Sequence, residues 1–198
     1  MSTKHTEKIL APETNLQHRF ITDEKLLKKL VDIFKKQGKK VVLTQGVWDL
    51  IHEGHALYLE VAKSYGDVLI VGVDSDELTR ARKGPNRPIV PQTERIKMLV
   101  HLRHVDIVTI READHDIGDL IRLVKPDVLV TSSSTTDFDE KMKRDYKDVC
   151  GKIITMPPQA TTSTTARIRN LTIEGAEELA SEVVKLTQDF LDKIKKGK

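Results

Sequence analysis

The sequence has a single cysteine, Cys150, among its 198 residues. One cysteine excludes an internal disulfide and a zinc site built from cysteines, and it suits the reducing cytosol. The sequence also lacks any apolar run close to the roughly 20 residues of a membrane-spanning helix, and no signal-peptide pattern opens it. We therefore expect a cytoplasmic, soluble protein with no membrane partner.

Neither sign of charge predominates, because the sequence has 33 basic and 30 acidic residues and a net charge of only +3. The charges are interspersed, so no stretch creates the one-sided field that is typical of nucleic-acid-binding proteins. We expect no nucleic-acid partner. The length allows one domain with appendages and a sizeable buried core.

Short apolar segments that are typical of buried strands alternate with stretches of helical periodicity. Strands are predicted at residues 41–45, 68–73, 105–110, 127–131 and 153–156, and helices at 22–37, 52–65, 92–103, 117–124 and 137–148. This alternation predicts an α/β fold: a Rossmann-like, doubly wound, parallel five-stranded sheet with helices on both faces.

The predicted α/β domain covers residues 22–170, and a segment of different character flanks it on each side. Residues 1–21 are polar and have no periodic apolar face, which indicates a flexible N-terminal arm or a wrap along the sheet edge. Apolar residues at helical intervals in 171–198 predict a C-terminal helix that packs on its own domain or on a second subunit. We expect a homodimer.

The stretch from Val41 to His55 organises the functional prediction. A buried strand ends at Gly46, and His52, Gly54 and His55 then open a helix. A helix N-terminus has unpaired N–H donors and about half a positive charge, so a bound anion there is most often a phosphate. The histidines would add donors to the same oxygens. The alternative is that one histidine caps the helix and the other is an ordinary surface or core residue.

This stretch, Gly46-Val-Trp-Asp-Leu-Ile-His-Glu-Gly-His55, resembles the signature Gly-x-Phe-Asp-x-x-His-x-Gly-His of a nucleotidyltransferase superfamily, with Trp48 replacing Phe. The superfamily includes glycerol phosphate cytidylyltransferase and the adenylyltransferase domain of ADP-heptose synthase, and the order of motifs is closest to the second. The resemblance spans about residues 41–168. It implies transfer of a nucleoside monophosphate from an NTP, ATP or CTP, to a phosphorylated acceptor such as a sugar 1-phosphate or an alcohol phosphate.

A basic stretch over residues 79–91, rich in glycine and proline, is predicted to be a loop. Taken alone, it could simply be a solvated surface. Its Lys83-Gly84 step, and the Glu94-Arg95 step after it, match steps of the ADP-heptose enzymes. The resemblance implies that Lys83 contacts a phosphate. It leaves two roles for Arg95: contact with the nucleotide, or anchorage of the loop.

A hydroxyl-rich cluster, which includes Ser163, Thr164 and Thr165, precedes the last predicted helix. Such a cluster is first a capping signal, but helix starts also bind phosphate. In the superfamily a similar motif closes over the nucleotide phosphates, so the resemblance implies that these residues contact the leaving pyrophosphate. The sequence departs from the superfamily over residues 131–137, beside the nucleotide and acceptor sites, so the base and the acceptor stay open.

The implied reaction needs no general base, because an acceptor phosphate is already ionised. By resemblance, His52 and His55 bind the α and β phosphates, Lys83 binds the triphosphate, and Mg²⁺ is the counter-ion.

The residues around these groups have less certain roles in the implied reaction. Gln45, Gly46 and Val47 bring the backbone close to the nucleotide. Asp49 either orients the turn or touches substrate, and Asp74 and Asp76 either meet the acceptor or close the second strand.

Two other functional classes stay open from the sequence. Class I aminoacyl-tRNA synthetases also carry His-x-Gly-His, but their Lys-Met-Ser-Lys-Ser motif is absent here. A nucleotide-binding module without catalysis is conceivable because of the altered residues 131–137. His101 and His104 have no third ligand nearby in sequence, which favours a surface or core role over a metal site.

Overall fold

The structure, a computed structural model, describes residues 3–11, 15–133, 138–159, 171–173 and 175–187. The chain divides into two compact units, residues 1–161 and 162–198. The strands of the first unit are β1 (Val41–Gly46), β2 (Val68–Asp74), β3 (Ile107–Arg111), β4 (Val128–Ser132) and β5 (Lys152–Met156). Its helices are α1 (Thr3–Leu10), α2 (Leu16–Arg19), α3 (Glu24–Lys36), α4 (Glu53–Lys63), α5 (Asp76–Lys83), α6 (Gln92–His101), α7 (Asp119–Val124) and α8 (Glu140–Asp145).

The five strands form one sheet in the order β3-β2-β1-β4-β5, and all neighbouring strands run parallel. The predicted Rossmann-like fold is therefore confirmed. The chain enters the sheet at its centre, builds one edge, and then crosses to the other side of β1. In open parallel sheets, ligands bind beyond the carboxyl ends of the strands at this reversal. The turn that carries the two histidines follows β1 and lies there.

Both faces of the sheet are apolar, and successive side chains of a strand enter opposite layers. Leu43 of β1 packs in the layer that contains residues of α3 and α7. Val42 packs in the opposite layer with residues of α4 and α6. Strands that are buried on both faces have nearly continuous apolar sequences, which explains why the sequence predicts them well.

The described part of residues 1–21 is structured and packs against the rest of the first unit. Ile9 and Ile21 are 1% and 3% exposed, and Phe20 forms a β-bridge to Val108 of β3. The guanidinium of Arg19 donates to the carbonyl of Asp106 at 3.3 Å. This segment follows the sheet edge, as in the second of the two alternatives that the sequence left open, and only single apolar residues anchor it.

The basic stretch differs from the expected loop, because α5 extends through residues 76–83. The side chain of Ser75 caps this helix by accepting the N–H of Leu78 at 3.1 Å. The helix ends at Gly84, whose φ of +94° suits a residue without a side chain. Lys83 is the last helical residue, and the glycine and the prolines that suggested a loop all follow it.

In the second unit, residues 171–173 and 175–187 are helical. Several large apolar side chains on them are exposed, among them Leu179, Val183 and Leu186. Among the described residues, none of the helices combines the length and the apolar character that crossing a membrane requires.

Candidate active site

The turn between β1 and α4 has an unusual backbone. Trp48 and Leu50 both have a positive φ, 59° and 43°, which residues with side chains rarely adopt. The indole of Trp48 is buried, and its Nε1–H donates to the carbonyl of Gly72 in β2 at 3.1 Å. Phenylalanine, the usual residue of the superfamily here, could not make this bond. The bond ties the turn to the sheet.

His52 and His55 form a reciprocal cap at the start of α4. The Nδ1 of His52 accepts the N–H of Gly54 at 3.1 Å, and the Nδ1 of His55 accepts the N–H of His52 at 3.3 Å. The ring centroids are 4.2 Å apart. A nitrogen that accepts carries no proton, so a neutral imidazole held in this way has its proton on Nε2. The capping role and a ligand-binding role therefore use different nitrogens.

The electrostatic surroundings keep His55 neutral. The pKa of His55 is lowered from 6.5 to about 4; burial is the main cause, the nearby imidazole of His52 also lowers it, and Asp49 opposes both. The unfolded chain takes up this proton near pH 6.5 and the folded chain only near pH 4. The stability that neutral His55 contributes is therefore present above pH 6.5 and is lost as the pH falls towards 4. At neutral pH the ring is an uncharged donor.

Trp48 makes this protonation measurable. It is the only tryptophan in the sequence, and its ring centroid lies 5.6 Å from that of His55. We expect its fluorescence to change as His55 is protonated, with a midpoint near pH 4. A bound phosphate favours the charged imidazole, so ATP or CTP at the turn should move the midpoint upwards.

Fluorescence titration with and without nucleotide measures both midpoints, with circular dichroism to follow folding. The variant His55→Gln should lack the transition. A midpoint near pH 6.5 without nucleotide would contradict the buried, neutral His55.

Asp49 clamps the turn to the segment after α5. Its carboxylate accepts the N–H of Ile89 and of Val90, each at 2.9 Å, and the guanidinium of Arg87 at 3.1 Å. Burial alone would raise the pKa of Asp49, but these donors together hold it below its usual value. The contacts orient the turn, which is one of the two roles that the sequence left open for Asp49.

Arg95 is a buried anchor beneath the same turn, with its side chain 0% exposed. Its guanidinium donates to the carbonyls of Val47, Val90 and Asp74 and to the carboxylate of Asp76. The protein's own oxygens thus accept four of the five N–H donors of the guanidinium. These contacts describe the second alternative for Arg95, anchorage of the loop.

Asp74 and Asp76 are also held by the protein. The carboxylate of Asp74 is 1% exposed and pairs with Arg111 at 2.8 Å and with Arg82 at 2.7 Å. Asp76 pairs with Arg95 at 2.7 Å and accepts the N–H of Gln92 at 2.9 Å. These contacts close the carboxyl end of β2. The partner Arg111 escaped the sequence prediction, although an arginine that ends the apolar strand β3 was a signal.

Some of the remaining predicted site residues lie at the ends of described elements, and others lie outside the described residues. Gln45 and Gly46 end β1 at the reversal of the sheet, and Lys83 is exposed at the end of α5. Ser163, Thr164 and Thr165 lie outside the described residues, as do residues 134–137.

The described residues do not offer a metal site of their own. No group of three or more histidine, cysteine, aspartate or glutamate side chains among them could hold an ion. Asp49, Asp74 and Asp76 are engaged by N–H groups or arginines. Mg²⁺ therefore fits this part of the chain only as a partner of nucleotide phosphates, which is how Mg²⁺ commonly binds.

Comparison with known proteins identifies relatives. Residues 43–170 match the family described as Cytidylyltransferase-like. The bifunctional protein HldE of Desulfatibacillum aliphaticivorans is 38% identical over 146 residues, which are 73% of this chain and 29% of that protein. HldE of a Nitratiruptor species is 46% identical over 111 residues, 56% of this chain and 24% of that protein. The chain spans about a quarter of the length of these relatives.

Solved structures share the fold. The lipopolysaccharide core biosynthesis protein from Thermoplasma volcanium GSS1 is 29% identical, with a TM-score of 0.53 over 60% of this chain and 97% of that one. The pantoate-beta-alanine ligase from Francisella tularensis is 16% identical, with a TM-score of 0.56 over 77% and 72% of the two chains. The family match covers more than half of the chain and confirms the resemblance, and with it the prediction of a nucleotidyltransferase. The chain belongs to the cytidylyltransferase-like family.

Proposed function

We propose that this chain transfers a nucleoside monophosphate from ATP or CTP to a phosphorylated acceptor such as a sugar 1-phosphate, with release of pyrophosphate. The observation that carries the proposal is the reciprocal cap of His52 and His55 at the sheet reversal. Because both Nδ1 atoms accept backbone N–H groups, the donor of each ring is Nε2–H. Two such donors beside helix amides suit the oxygens of a triphosphate.

In the proposed reaction, an oxygen of the acceptor phosphate attacks the α-phosphorus of the NTP. A new P–O bond forms, the bond from the α-phosphorus to the bridging oxygen breaks, and its electron pair leaves with pyrophosphate. The protein has to align the two reactants and stabilise charge on the phosphate oxygens. His52 and His55 donate to the α and β phosphates, Lys83 supplies a cation, and residues 163–165 bind the leaving pyrophosphate.

The clamp of Asp49 and the anchor of Arg95 support this division of work. They tie the histidine turn to the segment that follows Lys83. The two histidines and Lys83, the proposed phosphate ligands, therefore belong to one connected framework. A cation set in such a framework loses less entropy when substrate binds than one on an isolated loop. Mg²⁺, which would enter with the nucleotide, neutralises charge on the phosphates.

The proposed acceptor is a sugar phosphate, and an alcohol phosphate such as glycerol phosphate is the second candidate. A relative described as a lipopolysaccharide core biosynthesis protein favours the sugar phosphate. A screen for pyrophosphate release tests both, by crossing the four ribonucleoside triphosphates with sugar 1-phosphates and alcohol phosphates. Release with one pair supports the proposal. Nucleotide binding in calorimetry without release across the screen would instead favour a binding module that has lost catalysis.

We further propose that the protein is a cytoplasmic homodimer that uses its C-terminal helix. Leu179, Val183 and Leu186 are 62%, 53% and 68% exposed, and the apolar area of such side chains favours association. Light scattering should give twice the chain mass of 22.4 kDa. Replacing these three residues by lysine should give the monomer mass. The circular dichroism spectrum of the protein should stay unchanged, because the side chains are exposed. A monomeric wild-type protein would contradict the proposal.

A further inference from the structure

An arginine from the N-terminal segment is buried at the C-terminal end of α6. Arg19, the last residue of α2, is 8% exposed. Its guanidinium donates to the carbonyl of Val100 in α6 at 2.5 Å and, just after α6, to those of Leu102 at 3.4 Å and Asp106 at 3.3 Å. The last carbonyls of a helix have no partner inside the helix and attract cations. Arg19 therefore caps the C-terminal end of α6.

This cap comes from a segment that lies outside the matched family domain. The family match covers residues 43–170, and residues 15–21, which we call the strap, precede it. The strap also covers one edge of the sheet, because the N–H of Ile21 donates to the carbonyl of Val108 in β3 at 2.9 Å. The strap is thus an addition to the matched domain, and what it holds in place indicates its role.

The helix that carries the histidines ends at the same junction. The carboxylate of Asp106 accepts the ammonium of Lys63, the last residue of α4, at 2.5 Å. The same carboxylate accepts the N–H of Leu69 in β2 at 2.6 Å, which fixes Asp106 to the sheet. The carbonyl of Asp106 accepts Arg19. The strap, the end of α4 and the connection from α6 to β3 therefore meet at Asp106.

The opposite ends of α4 and α6 build the proposed site. His52 caps α4, and His55 lies in its first turn. The first turn of α6 contains Arg95, which donates to the carbonyl of Val47. The two helices have 11 and 10 residues, so each spans about 15 Å from the site to the junction. A helix moves largely as a rigid element, so a support at one end limits the motion of the other.

Val90 is the residue at which a shift of α6 would reach the histidine turn. Its carbonyl accepts the Nε–H of Arg95 at 2.9 Å, and its N–H donates to the carboxylate of Asp49 at 2.9 Å. The N–H of Ile89 donates to the same carboxylate. A tilt of α6 that displaces Arg95 would therefore loosen the clamp that Asp49 forms between the turn and this segment.

We propose that Arg19 is a positioning residue for the site. It fixes the far end of α6, and through Arg95 and Val90 it holds the turn that carries the two histidines. The effect on catalysis rests on the proposed nucleotidyl transfer, whereas the effect on the turn does not.

Amide hydrogen exchange of Ile89 and Val90 tests this coupling without turnover. In Arg19→Met, which keeps an apolar side chain but has no donor, both amides should exchange about tenfold faster or more. Arg19→Lys keeps a cation at the helix end, so its increase should be smaller, and it carries the same test if Arg19→Met does not fold. The matched control is Val124→Ala, a buried change in α7 in the opposite layer. It lowers the stability of the core but should change the exchange of the two amides less than about twofold.

Activity provides the second readout. In Arg19→Met, kcat should fall about tenfold with KM for the NTP changed less than about threefold, because displaced donors misalign the reactants. If the two amides exchange faster but no acceptor releases pyrophosphate in any variant or the wild type, the proposed transfer fails and the coupling stands. If faster exchange is confined to residues 100–106, or if Val124→Ala matches Arg19→Met at Ile89 and Val90, Arg19 only fastens the strap and the inference is overturned.

Discussion

Replacement of His52 or His55 by alanine is expected to lower kcat for nucleotidyl transfer about a hundredfold or more. This is the scale on which enzymes lose rate when one charge-stabilising donor is removed from a site. Each imidazole is aligned through Nδ1 by a backbone N–H, so each variant removes a donor that the fold has already oriented. Pyrophosphate release with the NTP and acceptor that the screen selects measures the loss.

Glutamine variants of the same residues separate the donor from the cap. A glutamine amide can present an N–H near the position of Nε2, so His52→Gln and His55→Gln should lose less activity than the alanine variants. His101→Ala, an exposed histidine on α6, is the control and should keep its activity. Near-normal kcat in both alanine variants would refute the assignment. Loss of the cap alone should cost only about 1 kcal/mol of stability.

The largest expected effect on stability belongs to Arg95. Arg95→Met should lower the free energy of unfolding by about 3 to 5 kcal/mol, because removal of one partner leaves buried polar groups uncompensated. Those groups are the carbonyls of Val47, Val90 and Asp74 and the carboxylate of Asp76. Urea unfolding followed by circular dichroism measures the change.

An exposed arginine just after α6 provides the comparison. Arg103→Met should change the free energy of unfolding by no more than about 0.5 kcal/mol, as is usual for surface substitutions. Equal urea midpoints for Arg95→Met and the wild type would contradict the anchoring role. The nucleotide-contact role would instead predict normal stability with a raised KM for the NTP.

The sheet and the histidine turn could be predicted from the sequence because their signals are local. A strand such as β2, buried on both faces, has an almost unbroken apolar sequence from Val68 to Val73. The order of a strand, a glycine and two histidines before a helical repeat likewise lies within fifteen residues. Each pattern is complete within the segment that it describes, so no tertiary contact was needed to interpret it.

The supporting contacts could not be predicted, because they join residues that are distant in sequence. Arg95 reaches Val47, and Asp74 reaches Arg111, across 48 and 37 positions. No spacing rule distinguishes a carboxylate that is paired in this way from one that awaits a substrate. The start of α5 was missed for a different, local reason. The serine that caps it belongs to the same short polar run, residues 74–76, that closes β2.

The most direct test of the account is the protonation of the two imidazoles, observed by nitrogen NMR of histidine-labelled protein near neutral pH. The geometry predicts an unprotonated Nδ1 and a protonated Nε2 on both His52 and His55. It also predicts that a non-hydrolysable NTP analogue shifts both Nε2–H signals. Protons on Nδ1, or Nε2–H signals that do not respond to a nucleotide that binds elsewhere, would contradict the claim that these rings are phosphate donors.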